Sequence, residues 1–98
     1  MTFTSKQRAY LRSLASELSP LFQIGKGGVS PEVTQAVEES FNTRELIKLT
    51  VLKNCTEDIQ MVASEISERT HSDLINVIGR KIVLYKPFKE NPEIVLPK

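Results

Sequence analysis

Four consecutive residues, Gly25-Lys26-Gly27-Gly28, have the composition of an anion-binding loop. Glycines allow positive φ angles and let main-chain N–H groups come close to a ligand, while the lysine adds a positive charge. The spacing is neither that of a P-loop, G-x-x-x-x-G-K-[ST], nor that of the dinucleotide fingerprint, G-x-G-x-x-G. The loop therefore predicts an anion site without nucleotide hydrolysis.

The other residues that could do chemistry are isolated from one another. Cys55 is the only cysteine and His71 the only histidine, so the chain can form neither an internal disulfide nor a Cys/His zinc site. Serine, histidine and aspartate all occur, but not in the order or motifs of a catalytic triad. We expect no catalytic residues, no metal and no cofactor, and hence a binding protein.

Charged residues are clustered although the net charge is only +1. Acidic residues concentrate in segments 32–39 and 57–73, whereas basic residues concentrate at the start of the chain and in segment 80–89. A nearly neutral protein with this pattern can present one basic face and one acidic face. The pattern is compatible with a polyanionic ligand.

Periodicity and capping residues place the glycine loop between a strand and a helix. Thr4 and Gln7 form a predicted capping box, Ser30 caps the helix that begins at Pro31, and Thr56 or Asn54 could cap the next helix. The predicted elements are a helix over residues 5–18, a strand over 21–24, a helix over 31–42, a strand over 45–53, a helix over 57–69, and strands over 74–78 and 82–85.

This αβαβαββ order predicts an α/β fold of the two-layer α+β kind. Alternating strands and helices favour parallel pairing, while the short connection between the last two strands requires an antiparallel hairpin, so the sheet is mixed and four-stranded with helices packed on it. We assign residues 1–86 to one domain. Residues 87–98 contain three prolines and are predicted to form an extended tail, with Ile94-Val95-Leu96 docking on the domain.

The size and hydropathy of the chain suit one soluble domain. Its 98 residues can bury a single core, and no apolar run approaches the length of a membrane span. The first residues also lack the apolar run of a signal peptide. We expect a cytoplasmic protein that does not bind membranes and acts as a monomer.

Three motifs in order resemble the CRM domain family, and most closely its stand-alone bacterial YhbY-type members. They are Phe22-Gln23-Ile24-Gly25-Lys26-Gly27-Gly28, then Arg44-Glu45-Leu46-Ile47-Lys48, and then Val77-Ile78-Gly79-Arg80 leading to Leu84-Tyr85-Lys86. The resemblance implies an RNA-binding fold similar to the C-terminal domain of translation initiation factor three. It also implies that Gly25 to Gly28 act as a KH-like GxxG loop, which holds a nucleic-acid backbone.

The resemblance implies that the ligand is ribosomal RNA in precursors of the large ribosomal subunit, because the stand-alone bacterial members are associated with such particles. Two alternatives stay open: a regulator of messenger or small RNA, and a protein-interaction module whose acidic helices bind a basic ribosomal protein. The predicted RNA-binding residues are Gly25, Lys26, Gly27, Gly28, Arg12, Arg44, Lys48, Arg80, Lys81 and Lys86.

Overall fold

The computed structural model describes residues 2–98 as three helices and four strands in the predicted order. The elements are α1 (Ser5–Ser16), β1 (Phe22–Ile24), α2 (Pro31–Ser40), β2 (Leu46–Val51), α3 (Ile59–Arg69), β3 (Asp73–Ile78) and β4 (Lys81–Tyr85). The predicted order and the mixed four-stranded sheet are both confirmed.

Two helix starts follow the predicted capping and one does not. Thr4 and Gln7 form the capping box of α1, and the Ser30 hydroxyl accepts a hydrogen bond from the Val33 amide at the start of α2. The prediction of Thr56 or Asn54 as the cap of α3 is wrong. Asp58 caps that helix and accepts from the Gln60 amide, and its carboxylate also suits the positive end of the helix dipole.

The strand order in the sheet is β1-β2-β4-β3. β1 pairs with β2 in parallel, so the carboxyl ends of these two strands lie at the same end of the sheet. β4 pairs with both β2 and β3 in antiparallel fashion and lies between them. Consequently the turn between β3 and β4 lies at the same end of the sheet as the glycine loop that follows β1.

The helices lie on both faces of the sheet, which adds a layer to the two expected from the sequence. On one face, α2 and α3 pack on the larger core, which includes Ile47, Leu49 and Ile82. On the other face, α1 packs Leu11 and Ala15 on a smaller core that also contains Leu46, Val83 and Tyr85. Leu46 and Tyr85 are paired near one end of their strands, so α1 covers that part of its face.

Residues 86–98 contain no helix or strand and pack on the domain. Ile94 and Leu96 join the smaller core, and the Gln7 side-chain amide donates to the Pro97 carbonyl oxygen at 3.0 Å. Val95 between them is 78% exposed. The tail therefore continues the layer that α1 begins.

Candidate nucleic-acid interface

Three connections meet at one end of the sheet, called here the loop end. They are the glycine loop after β1, segment 52–58 after β2, and the turn Gly79-Arg80 before β4. The Leu52 amide extends the β1–β2 pairing by donating to the Ile24 carbonyl oxygen at 2.8 Å. The loop end thus brings together segments that lie far apart in the chain.

The glycine loop is a tight turn with its lysine at the tip. The Gly28 amide donates to the Gly25 carbonyl oxygen at 2.9 Å, which leaves Lys26 and Gly27 in the middle of the turn and exposed. Gly28 is buried and has a φ of 65°, a conformation that other residues adopt only with strain. Gly28 is therefore required by the backbone, whereas Gly27 has open space around it.

Segment 52–58 supports the glycine loop from the side of α3. A Cβ on Gly25 would lie 3.2 Å from the Asn54 Oδ1 atom, and a Cβ on Gly28 would lie 3.1 Å from the Glu57 Oε2 atom. The loop therefore carries a carboxylate against its last glycine. A phosphate can approach with least repulsion from the side of the loop away from Glu57.

Arg80 lies at the loop end, but its guanidinium is bound to the protein's own backbone. Its Nε atom donates to the Val51 carbonyl oxygen at 2.8 Å, and Nη2 donates to the Leu52 carbonyl oxygen. The Val51 amide in turn donates to the Arg80 carbonyl oxygen at 2.7 Å. Arg80 thus ties the β3–β4 turn to the end of β2 and is first of all a structural residue.

Lys48 and Lys81 lie on the face of the sheet that α1 covers only in part. Thr50 pairs with Lys81 and Lys48 pairs with Val83, so the two lysines are diagonal neighbours about 7–8 Å apart on one face. Lys81 is exposed and Lys48 is half-buried. The uncovered part of this face, called here the open sheet face, consists of Gln23, Lys48, Thr50, Asn76, Ile78 and Lys81.

Arg12 borders the open sheet face from α1. Gln7 and Leu14 are on the side of α1 that contacts the tail. Arg8 is on the other side, where it donates to the Ile75 carbonyl oxygen at 2.8 Å and lies 5.6 Å from the centre of the Phe3 ring. Arg12 is exposed and follows Arg8 by about one turn on that same side.

Arg44 and Lys86 lie at the opposite end of the sheet, called here the tail end. β2 has six residues, which separates the two ends by roughly 20 Å. The Lys86 ammonium donates to the Thr70 carbonyl oxygen at 3.0 Å and lies 5.9 Å from the centre of the Phe41 ring, whereas Arg44 is exposed. The structure does not bring these two predicted site residues to the glycine loop.

Glu45, which is not among the predicted site residues, organises the tail end. It is 3% exposed, and its carboxylate accepts from the amides of Phe88 at 2.8 Å, Glu93 at 2.8 Å and Ile94 at 2.7 Å. Burial raises the pKa of the nearby Tyr85 hydroxyl, and the carboxylates of Glu45 and Asp73 raise this pKa further. This end of the molecule is held together by hydrogen bonds.

The α2 and α3 side of the sheet is more acidic than the open sheet face. Exposed acids cover the α2 and α3 side, where Arg69 is the only base of segments 31–40 and 57–69 and pairs with Glu65 at 2.8 Å. The open sheet face lies on the other side and holds Lys48 and Lys81. A polyanion is therefore attracted to the open sheet face and repelled by the helical layer.

Lys53 is exposed at the loop end, within the segment that supports the glycine loop, but it is not among the predicted site residues. The predicted parallel pairing of β1 and β2 is the signal that could have found it, because parallel strands place their carboxyl ends together.

Among residues 2–98, no cluster of three or more His, Cys, Asp or Glu could hold a metal ion. None of the helices in that range is long and apolar enough to cross a bilayer.

The fold and the three motifs define a member of a known domain family. The model of the CRS1 / YhbY (CRM) domain family matches residues 3–86. This match spans all seven elements, from α1 to β4. The chain belongs to the CRM domain family, as its three motifs predicted.

Individual relatives cover nearly the whole chain. The chain is 48% identical over 94 residues to the Bacillus subtilis protein named "Probable RNA-binding protein YqeI", with 96% of this chain and 98% of the relative covered. It is 33% identical over 97 residues to a Haemophilus influenzae protein named "RNA-binding protein", covering 99% and 97%. The solution structure of the hypothetical protein SAV1595 from Staphylococcus aureus superimposes with a TM-score of 0.82 at 47% identity, covering 98% and 100%.

Proposed function

We propose that this protein binds RNA non-covalently through the loop end and the open sheet face, and that its ligand in the cytoplasm is ribosomal RNA in precursors of the large ribosomal subunit. The observation that carries the proposal is the exposed Lys26 at the tip of a glycine turn, at the same end of the sheet as the exposed Lys81. Membership of the CRM family and the names of the relatives support RNA as the ligand.

In this proposal the loop amides and Lys26 hold phosphates, while Lys48, Lys81 and Arg12 extend the contact across the sheet. Phosphate contacts supply most of the affinity of such an interface and make binding salt-dependent. Arg80 contributes by fixing the β3–β4 turn, since its guanidinium is already bound to two backbone carbonyls. Arg44 and Lys86 lie outside this surface.

The direct test is the double substitution Lys26→Glu with Gly27→Asp in the full chain. Gly27 has no positive φ, and a Cβ added to it would have nothing within 4 Å, so the variant should keep its fold as judged by circular dichroism. We expect its affinity for fragments of large-subunit ribosomal RNA to fall about tenfold or more, because two negative charges enter the phosphate site. The matched control is Lys89→Glu in the tail. Unchanged affinity of the double variant would exclude the glycine loop as the binding site.

The ribosomal part of the proposal is tested by sedimentation of cell extract on a sucrose gradient. We expect the protein to migrate with precursors of the large subunit, and the Lys26→Glu, Gly27→Asp variant to shift to the free-protein fractions. Migration of the unmodified protein with free protein alone would contradict a ribosomal role, while leaving RNA binding itself open to the affinity test.

One observation favours a second candidate, a module that binds a basic ribosomal protein. Helices α2 and α3 carry exposed acids and a single base, Arg69. If this surface is the functional one, Glu65→Lys with Glu68→Lys should abolish association with the precursor particle, while Lys26→Glu with Gly27→Asp should leave it intact.

A further inference from the structure

We infer that the open sheet face and the glycine loop bind double-stranded RNA, through phosphates and ribose hydroxyls, in preference to the unstacked bases of a single strand. This inference rests on the proposed function and specifies its ligand. The open sheet face presents basic and neutral hydrogen-bonding side chains and lacks aromatic ones.

Single-stranded RNA is usually held by aromatic side chains on which its bases stack. Phe3, Phe41 and Tyr85 are 9%, 6% and 2% exposed, so none of them offers a ring face to a base. Phe22 is partly buried against the larger core, and Phe88 lies in the tail. The open sheet face, within the described residues 2–98, therefore contains no aromatic side chain.

Tyr10 is 38% exposed but is turned away from the open sheet face. It precedes Arg12 by two residues on α1, and two residues rotate a helix position by about 200°. Arginine planes can replace aromatic rings as stacking surfaces, but the guanidiniums of Arg8 and Arg80 are bound to backbone carbonyls. Arg12 is left as the one exposed arginine beside the surface, among the residues that the structure describes.

The open sheet face instead presents neutral hydrogen-bonding groups between its lysines. Gln23 pairs with Thr50, and Thr50 pairs with Lys81, so an amide, a hydroxyl and an ammonium lie side by side across three strands. Hydroxyl and amide side chains both donate and accept, as the ribose 2′-hydroxyl does. Duplex RNA displays its 2′-hydroxyls in a wide, shallow minor groove, where proteins bind them together with the phosphates.

The positive charges are spread in two dimensions rather than along one line. The glycine loop at the end of β1 and Lys81 at the start of β4 are separated by two strand spacings, about 10 Å, and Lys48 lies diagonally below Lys81. Glu57 and the acidic helices prevent a single strand from continuing past the loop onto the α2 and α3 side. A broad, flat basic surface fits the two phosphate strands on either side of a minor groove.

The test compares binding of the full chain to an RNA duplex of about 20 base pairs, to each of its single strands, and to the DNA duplex of the same sequence, at one salt concentration. We expect the RNA duplex to bind about tenfold more tightly than either single strand or the DNA duplex. Thr50→Val should reduce affinity for the RNA duplex about fivefold and leave binding to the DNA duplex unchanged.

Tyr10→Ala is the control, because it removes the more exposed of the two tyrosine rings, which is turned away from the open sheet face, and should leave all affinities unchanged. The inference is overturned if a single strand binds as tightly as the duplex, or if Tyr10→Ala weakens binding. Equal binding of RNA and DNA duplexes would overturn the assignment of Gln23 and Thr50 to ribose hydroxyls. These outcomes leave the proposed function standing, whereas failure of all three nucleic acids to bind would overturn that function as well.

Discussion

The two ends of the sheet use charged residues in opposite ways. At the tail end, Glu45 is buried and accepts three tail amides, and the Lys86 ammonium donates to a carbonyl. At the loop end, Lys26 and Lys81 are exposed. The sequence alone shows basic residues near both ends, but hydrogen-bond partners distinguish charges that build the fold from charges that can bind a ligand. Arg80 is the exception, a structural charge within the loop end.

Glu45→Ala should have the largest effect and should act on stability alone. Three partly buried amides lose their acceptor, so we expect the free energy of unfolding to fall by about 3 kcal/mol, as measured by urea denaturation. RNA affinity of the folded protein should change less than about twofold, because the loop end lies roughly 20 Å away. Glu90→Ala, on an exposed tail residue, is the matched control. An equal loss of RNA affinity would show that the two ends are coupled.

Arg80→Lys tests whether Arg80, although it lies at the loop end, stabilises the fold rather than binding RNA. The lysine keeps the charge but cannot donate to two carbonyls from a planar fork, so stability should fall by about 1–2 kcal/mol. RNA affinity, measured where the variant is fully folded, should stay close to that of the parent protein. A drop in affinity without a drop in stability would mean that the guanidinium contacts RNA directly.

Gly28→Ala and Gly27→Ala form a matched pair within the glycine loop. Alanine at position 28 must adopt a φ of 65° with its Cβ 3.1 Å from Glu57, so we expect a loss of about 1–2 kcal/mol in stability and weaker RNA binding. Alanine at position 27 meets no atom within 4 Å and should leave stability nearly unchanged. Equal stability of the two variants would contradict the described loop conformation.

Glu57→Gln should have the smallest effect and the opposite sign. It removes a negative charge beside Gly28, so affinity for RNA should rise by about two- to fivefold at low salt, and the gain should shrink as salt is added. Glu68→Gln, at the exposed far end of α3, is the control and should change affinity less. A decrease in affinity would indicate that the carboxylate helps to hold the RNA.

Much of the fold could be predicted from local signals in the sequence. Capping residues locate the starts of α1 and α2, and the glycine between two apolar runs locates the hairpin. What could not be predicted depends on long-range pairing. The insertion of β4 between β2 and β3 has no local signal, and neither does the packing of α1 on the second face of the sheet, where it covers Leu46.

The sequence predicts which types of residue form the candidate site, but it does not predict which of them lie together on one surface. Composition alone identifies the glycine loop, but the separation of Arg44 and Lys86 from it is invisible without the strand pairing. The hydrogen bonds of the Arg80 guanidinium could not be predicted from the sequence either, because its carbonyl partners lie 28 and 29 residues away in the chain. Asp58 caps α3 in place of the predicted residues because the helix begins at Ile59, two residues later than the predicted start at residue 57.

The Glu45 carboxylate also affects the order in which parts of the domain can fold during synthesis. Its three amide donors lie 43, 48 and 49 residues further along the chain, so they leave the ribosome long after β2. Until Ile94 emerges, a carboxylate at the start of β2 lacks its full set of partners and stays hydrated, which keeps the region around it open. The nascent domain can therefore complete its larger core once β4 has emerged, but it closes its second face only when residues 88–94 arrive.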